Sequence, residues 1–210
     1  SPNQLDHQHL ESAFQSHCQN AGVTESDFLV AAGEIGKVLC DHARFADLIL
    51  IPLNHPPDNK PISRLSSGIS TLIRSCSVPI LTVPAPPTDL STILLAFDGS
   101  NKAKEAMYLA AYFGTQRGSS LIVLTSVSGL SNPDLVQQEA RDYLSQFPVR
   151  SRYITTGASV ADEIADLNKD QEIDLILIGG YGGTRLIDFM MGSVVDQVLR
   201  EIHLPVLICR

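Results

Sequence analysis

Four residues near one end of the sequence carry a spacing that can do chemistry: Gly179, Gly182, Gly192 and Ser193, in the pattern G-x2-G-x9-G-S. The pattern starts where the apolar run "DLILIG" (174–179) ends, and Gly192-Ser193 opens a segment with helical spacing. Glycine has no Cβ, so a phosphate or a ribose can come close to the backbone and meet its N–H groups. The first turn of a helix leaves N–H donors unpaired and carries partial positive charge, which favours an anion. The Ser193 hydroxyl can cap that helix or bind a phosphate oxygen. The same residue types also make tight turns and ordinary caps. Asp98 closes another apolar run, "TILLAF" (92–97), and a carboxylate there can accept hydrogen bonds from sugar hydroxyls or a base's amino group. Lys102 and Arg185 flank these residues and read equally as solvated side chains or phosphate contacts.

The chemistry on offer is recognition of a phosphorylated ligand, not turnover. A phosphoryl-transfer site wants a P-loop lysine and a metal-binding carboxylate, and G-x4-G-K-[ST] is absent. No G-x-S-x-G, Cys–His pair or paired carboxylates supply a nucleophile. His7, His9, His17 and His55 match no metal spacing and read as surface residues.

The elements that must hold these residues alternate. "TILLAF" leads to a helix over 101–115 with Ala103, Ala106, Met107, Ala110 and Ala111 on one face. "SLIVLTSV" (120–127) is the next strand, followed by a helix over 133–146 through Leu135, Val136, Ala140 and Leu144. "SRYIT" (151–155) is a short strand, and 157–170 a helix with Ala158, Ala161, Ile164 and Leu167 inward. "DLILIG", a helix over 190–202 and "PVLIC" (205–209) complete the series. Apolar strands alternating with helices predict an open, mostly parallel α/β sheet covered on both faces, a Rossmann-like arrangement.

The 210 residues exceed one average domain. A formal charge of −8 disfavours nucleic acid and anionic membrane surfaces. No apolar window approaches the roughly 20 residues of a membrane helix, and no signal peptide is visible, so a cytoplasmic protein, or the cytosolic tail of a membrane protein, is expected. Cys18, Cys40, Cys76 and Cys209 form no CxxC pair and read as free thiols in a reducing compartment.

The N-terminal part echoes the C-terminal part. "ADLILIPLNHPP" (46–57) matches "IDLILIGGYGG" (173–183), and "SVPILTV" (77–83) matches "HLPVLIC" (203–209). The Pro-rich "PAPPTDLS" (84–91) reads as a linker. The expected organisation is a truncated repeat over 1–85, a linker over 86–91 and a complete unit over 92–210.

The complete unit, through "ILLAFDGS", "SLIVLTSV" and "DLILIGGYGGTRLIDFMMGSVVDQVLREIHLPVLICR", resembles the universal stress protein family. That resemblance covers Ser91 to Arg210 and includes the family's G-x2-G-x9-G-(S/T) without insertion. It implies a five-stranded sheet of order 3-2-1-4-5 binding ATP or another adenine nucleotide, alone or with Mg²⁺, in a regulatory stress-response role with at most slow hydrolysis. It implies that Asp98 contacts ribose or adenine and that Val127 lines the adenine slot. Gly179, Gly182, Gly192, Ser193 and Val194 would hold ribose and phosphates. Tyr181 stands where a histidine is common, and Asp188 adds a negative charge. In the first copy Pro52 and His55 replace Gly179 and Gly182, and Ser66-Ser67 replaces Gly192-Ser193, so that copy is not expected to bind nucleotide.

The first copy also lacks counterparts of the first two strands. "DFLVAA" (27–32) is expected to slide beside "DLILIP" (47–52), the other solution being strands from a second chain. The last strands of the copies, 79–83 and 205–209, are expected to pair antiparallel within the chain; in the family this strand commonly makes a homodimer contact. An interaction module belonging to a transporter or channel, with a vestigial nucleotide site, is the alternative reading.

Overall fold

The computed structural model describes residues 2–53, 68–84, 88–169, 173–181 and 194–210, with side chains from residue 7 onward. In chain order these form α1 (Pro2–Asn20), α2 (Ile35–Ala43), β1 (Ile49–Pro52), α3 (Gly68–Ser75), β2 (Ile80–Val83), β3 (Thr92–Ala96), α4 (Asn101–Arg117), β4 (Ser120–Ser126), α5 (Pro133–Leu144), β5 (Ser151–Thr156), α6 (Val160–Leu167), β6 (Leu175–Gly179), α7 (Val194–Glu201) and β7 (Val206–Cys209).

All seven strands join one sheet in the order β1-β2-β7-β6-β3-β4-β5. Within residues 92–210 this is the predicted 3-2-1-4-5 order, parallel throughout. Wholly apolar strands explain it: Ile93, Leu94, Leu95, Leu175, Ile176 and Leu177 are buried on both faces, as a parallel sheet under two helical layers requires. One face packs α4 and α5; the other packs α2, α3, α6 and α7. Ala103, Ala106, Met107, Ala110 and Ala111 form the buried stripe of α4, as their spacing predicts.

The helix starts follow side-chain chemistry. Ser100, Asn132 and Ser159 each accept a bond from the amide three residues on, capping α4, α5 and α6. The Ser159 cap starts α6 at Val160, so Ala158 lies outside the helix and is exposed, contrary to expectation.

The N-terminal part adds β1 and β2, parallel to each other. β2 runs antiparallel to β7, with Leu81 opposite Leu207 and the buried Thr82 hydroxyl donating to the Val206 carbonyl. Residues 27–32 do not form the predicted strand. They lie in an irregular stretch with Leu29 and Val30 exposed, and among the described residues β1 pairs with β2 alone. The reason lies in the partner face. Among the described residues Leu50 of β1 stands exposed, so a third strand would bury little on that side; Phe28 instead packs on Phe14 of α1, with ring centroids 5.6 Å apart.

The free-thiol expectation fails for two of the four cysteines. Cys40 of α2 and Cys76, just past α3, form a disulfide with Cα atoms 4.8 Å apart. The two helices pack side by side because Gly36 lets the Thr71 methyl approach, a proximity that a sequence separation of 36 hides. Cys18 and Cys209 are free. Burial of Cys209 pushes its thiol up to about 12, which leaves it without thiolate at neutral pH. Iodoacetamide added without reductant should therefore modify native protein once, at Cys18; a mass spectrum showing Cys209 modified as well would contradict this burial.

Candidate functional site at the carboxyl edge of the sheet

Strand register assembles the site. Ala96 of β3 stands level with Leu124 of β4 and Ile178 of β6. Continued past the strand ends, this puts Asp98, Val127 and the Gly179-Gly180 pair on one rim, the edge where open α/β sheets hold ligands. Asp98 is exposed, and one carboxylate oxygen accepts the Ser100 amide at 2.9 Å, fixing the turn into α4. Gly99 in that turn has φ 78°, a left-handed conformation that suits glycine. Val127 is 41% exposed and its amide is used by the Thr156 carbonyl, so its side chain is held open on the rim. Val194 begins α7 and is 40% exposed.

Gly179 has a role that its motif did not reveal. A Cβ there would lie 2.9 Å from the Ala103 nitrogen and 3.0 Å from the Lys102 carbonyl carbon. The glycine thus lets the first turn of α4 sit against the end of β6. A Cβ at Gly180 would meet the Cys209 carbonyl oxygen, which accepts the Gly180 amide. Both glycines serve close backbone packing under the rim. Gly182, Gly192 and Ser193, with Arg185 and Asp188, lie outside the described residues.

Lys102 resolves toward structure. Its ammonium donates to the Tyr181 carbonyl, and its pKa is lowered by burial first and then by the Arg210 and Arg74 charges, against Glu105. Tyr181 anchors the start of the motif. Its hydroxyl donates to Asp196 of α7 and meets Ser70 Oγ of α3 at 3.0 Å, while Arg74 lies over its ring. Burial, then the bond to Asp196, raises the phenol's pKa and keeps it protonated. In the sequence Tyr181 stands out only as a departure from histidine, because Ser70 and Lys102, 111 and 79 residues away, leave no local signal.

Among the described residues, no group of three or more His, Cys, Asp or Glu could hold a metal ion. A groove of about 610 Å³ lies on the opposite rim, lined by Thr92, Ser120, Arg150, Arg152 and Asp174. There the Asp174 carboxylate accepts the amides of Ser91 and Thr92, tying the entry of β3 to β6. That groove is at the amino ends of the strands, away from Asp98 and the glycines. No described helix is long and apolar enough to cross a membrane.

Residues 90–210 match the model of the universal stress protein family. The chain belongs to that family. A universal stress protein of Synechocystis, Slr1230, is 23% identical over 194 residues, 91% of this chain and 68% of its own. Universal stress protein Rv2005c of Mycobacterium tuberculosis is 27% identical over 165 residues, 70% of this chain and 56% of its own. This universal stress protein therefore spans about two thirds and about half of those relatives. In fold it is similar to a crystallised universal stress protein of Archaeoglobus fulgidus, with TM-score 0.78 at 15% identity over 97% of this chain and 76% of that one. PA1789 of Pseudomonas aeruginosa is similar at TM-score 0.63 and 14% identity, over 97% and 77%.

Proposed function

We propose that this universal stress protein binds one adenine nucleotide, ATP or a close relative, at the carboxyl edge of β3, β4 and β6, and that occupancy regulates a stress response. The observation that carries the reading is the strand register that brings Asp98, Val127 and the start of the glycine motif onto one open rim. Asp98 would accept from ribose or the base, and Val127 would face adenine. Gly182, Gly192, Ser193 and Val194 would cradle the phosphates at the start of α7. Residues 1–85 act as a truncated first copy without a site, joined through 86–91. Binding without turnover fits a lysine already spent on a backbone carbonyl. The nucleotide would bind alone or with Mg²⁺ carried on its phosphates.

Calorimetry with ATP, ADP and AMP should give one site per chain. Gly182→Val should abolish binding, because a branched side chain would fill the phosphate's approach. Asp98→Ala should weaken binding roughly tenfold, the worth of one hydrogen bond with a charged acceptor, and leave the fold intact, with the melting temperature lower by roughly a few degrees for the lost exposed bond to the Ser100 amide. Two sites per chain, or no binding of any of the three nucleotides, would sink the proposal. Unchanged affinity in Asp98→Ala would remove that residue from the site.

A further inference from the structure

The N-terminal part, which has no glycine motif of its own, reaches into the rim of the candidate site through α3. Four side chains from three helices converge on Tyr181. Its carbonyl accepts from Lys102 of α4, its hydroxyl donates to Asp196 Oδ1 of α7, and Ser70 Oγ and the Arg74 guanidinium come from α3. Ser70 precedes Tyr181 by 111 residues in the chain. The hydrogen-bond chain has a fixed direction. A carboxylate only accepts, so the single phenolic proton goes to Asp196, and Ser70 must then donate to the tyrosine oxygen. Ser70 is 1% exposed and Asp196 5% exposed, so each polar group here costs stability unless it is satisfied. An apolar side chain of similar size would fill the space at Tyr181 with less penalty, and a satisfied buried polar chain chiefly fixes geometry.

We propose that Ser70 and Arg74 are positioning residues for the nucleotide site: they clamp the Tyr181 ring from the N-terminal part and so set the backbone from which the glycine motif departs. The proposal rests on the nucleotide-binding reading of that motif. Ser70 acts by aiming the phenol at Asp196. Arg74 lies 4.6 Å from the ring centroid and holds its plane. The truncated copy then serves as a brace for a site it does not contain.

The test uses the full chain, with ATP affinity by calorimetry and amide exchange of the peptide 180–195 measured on the same proteins. Ser70→Ala and Tyr181→Phe should each weaken ATP binding roughly fivefold, about one hydrogen bond's worth. The double variant should bind no more weakly than Tyr181→Phe alone, since Ser70 works through that hydroxyl. Exchange in 180–195 should quicken in each variant while the central strands stay protected. Additive losses in the double variant overturn the proposal. So do unchanged affinity in folded variants and exchange that quickens equally everywhere. Should Ser70→Ala fail to fold, Arg74→Met supplies the second arm, with roughly threefold weaker binding expected from loss of the cation over the ring. If the unaltered protein binds no adenine nucleotide, the proposed function falls, and exchange in 180–195 alone decides whether α3 braces the segment.

Discussion

Changing Leu81 and Leu207 together to lysine should abolish the cooperative fold. The two residues face each other across the antiparallel pair of β2 and β7, and Leu207 is 4% exposed. Losing the buried Leu207 removes about 2–3 kcal/mol of burial and losing the half-buried Leu81 removes less, and the pair of lysines places like charges directly opposite on adjoining strands. Burying an unpaired ammonium adds several kcal/mol more, so the sum reaches the ~5–15 kcal/mol that stabilises a typical domain. Urea unfolding followed by circular dichroism should show the transition lost or moved to very low denaturant, with expansion in small-angle scattering. A double variant with an unchanged midpoint would mean that the β2–β7 junction contributes nothing to stability.

Gly179→Val should cost about 3 kcal/mol, at the upper end for overpacking a closed interior. The atoms in the way are the Ala103 nitrogen and the Lys102 carbonyl carbon, backbone at the start of α4. That turn cannot retreat cheaply, because Ala103, Ala106 and Met107 are buried against the sheet. For a chain of this size the loss corresponds to a fall in melting temperature of roughly 6–12 °C. Moving α4 also moves Ser100 and the Asp98 turn, so nucleotide affinity should fall with stability. A folded Gly179→Val protein of undiminished melting temperature would contradict the close approach of β6 and α4.

These two sites mark where sequence reading succeeds and where it stops. The strands and helices over 92–210 were legible because their signals are local: apolar runs, helical spacing, and the caps Ser100, Asn132 and Ser159. The rim was legible too, since Asp98 and Gly179 each close an apolar run and a parallel sheet brings such ends together. The role of Gly179 was not, because its constraint comes from α4, far back in the chain. The strand expected at 27–32 fails for the same reason: an apolar run becomes a strand only where a neighbouring face exists to receive it, and Leu50 of β1 stands exposed. The disulfide of Cys40 and Cys76 and the contacts of Tyr181 depend on how α2 and α3 lie on the sheet, which no window of residues encodes.

The antiparallel junction has a bearing on the order in which the molecule is built. β1 and β2 are too few to stand as a sheet alone. Among the described residues their other strand neighbour is β7, which follows them in chain order, and the Thr82–Val206 contact spans 124 residues. On a ribosome, then, β1 and β2 emerge before β7 and have to wait for it before they can settle. The β3–β7 unit can close first and offer the edge of β7 as a template. Folding governed by so distant a pairing is slow, and the early segment stays open to misassociation until synthesis has passed Cys209.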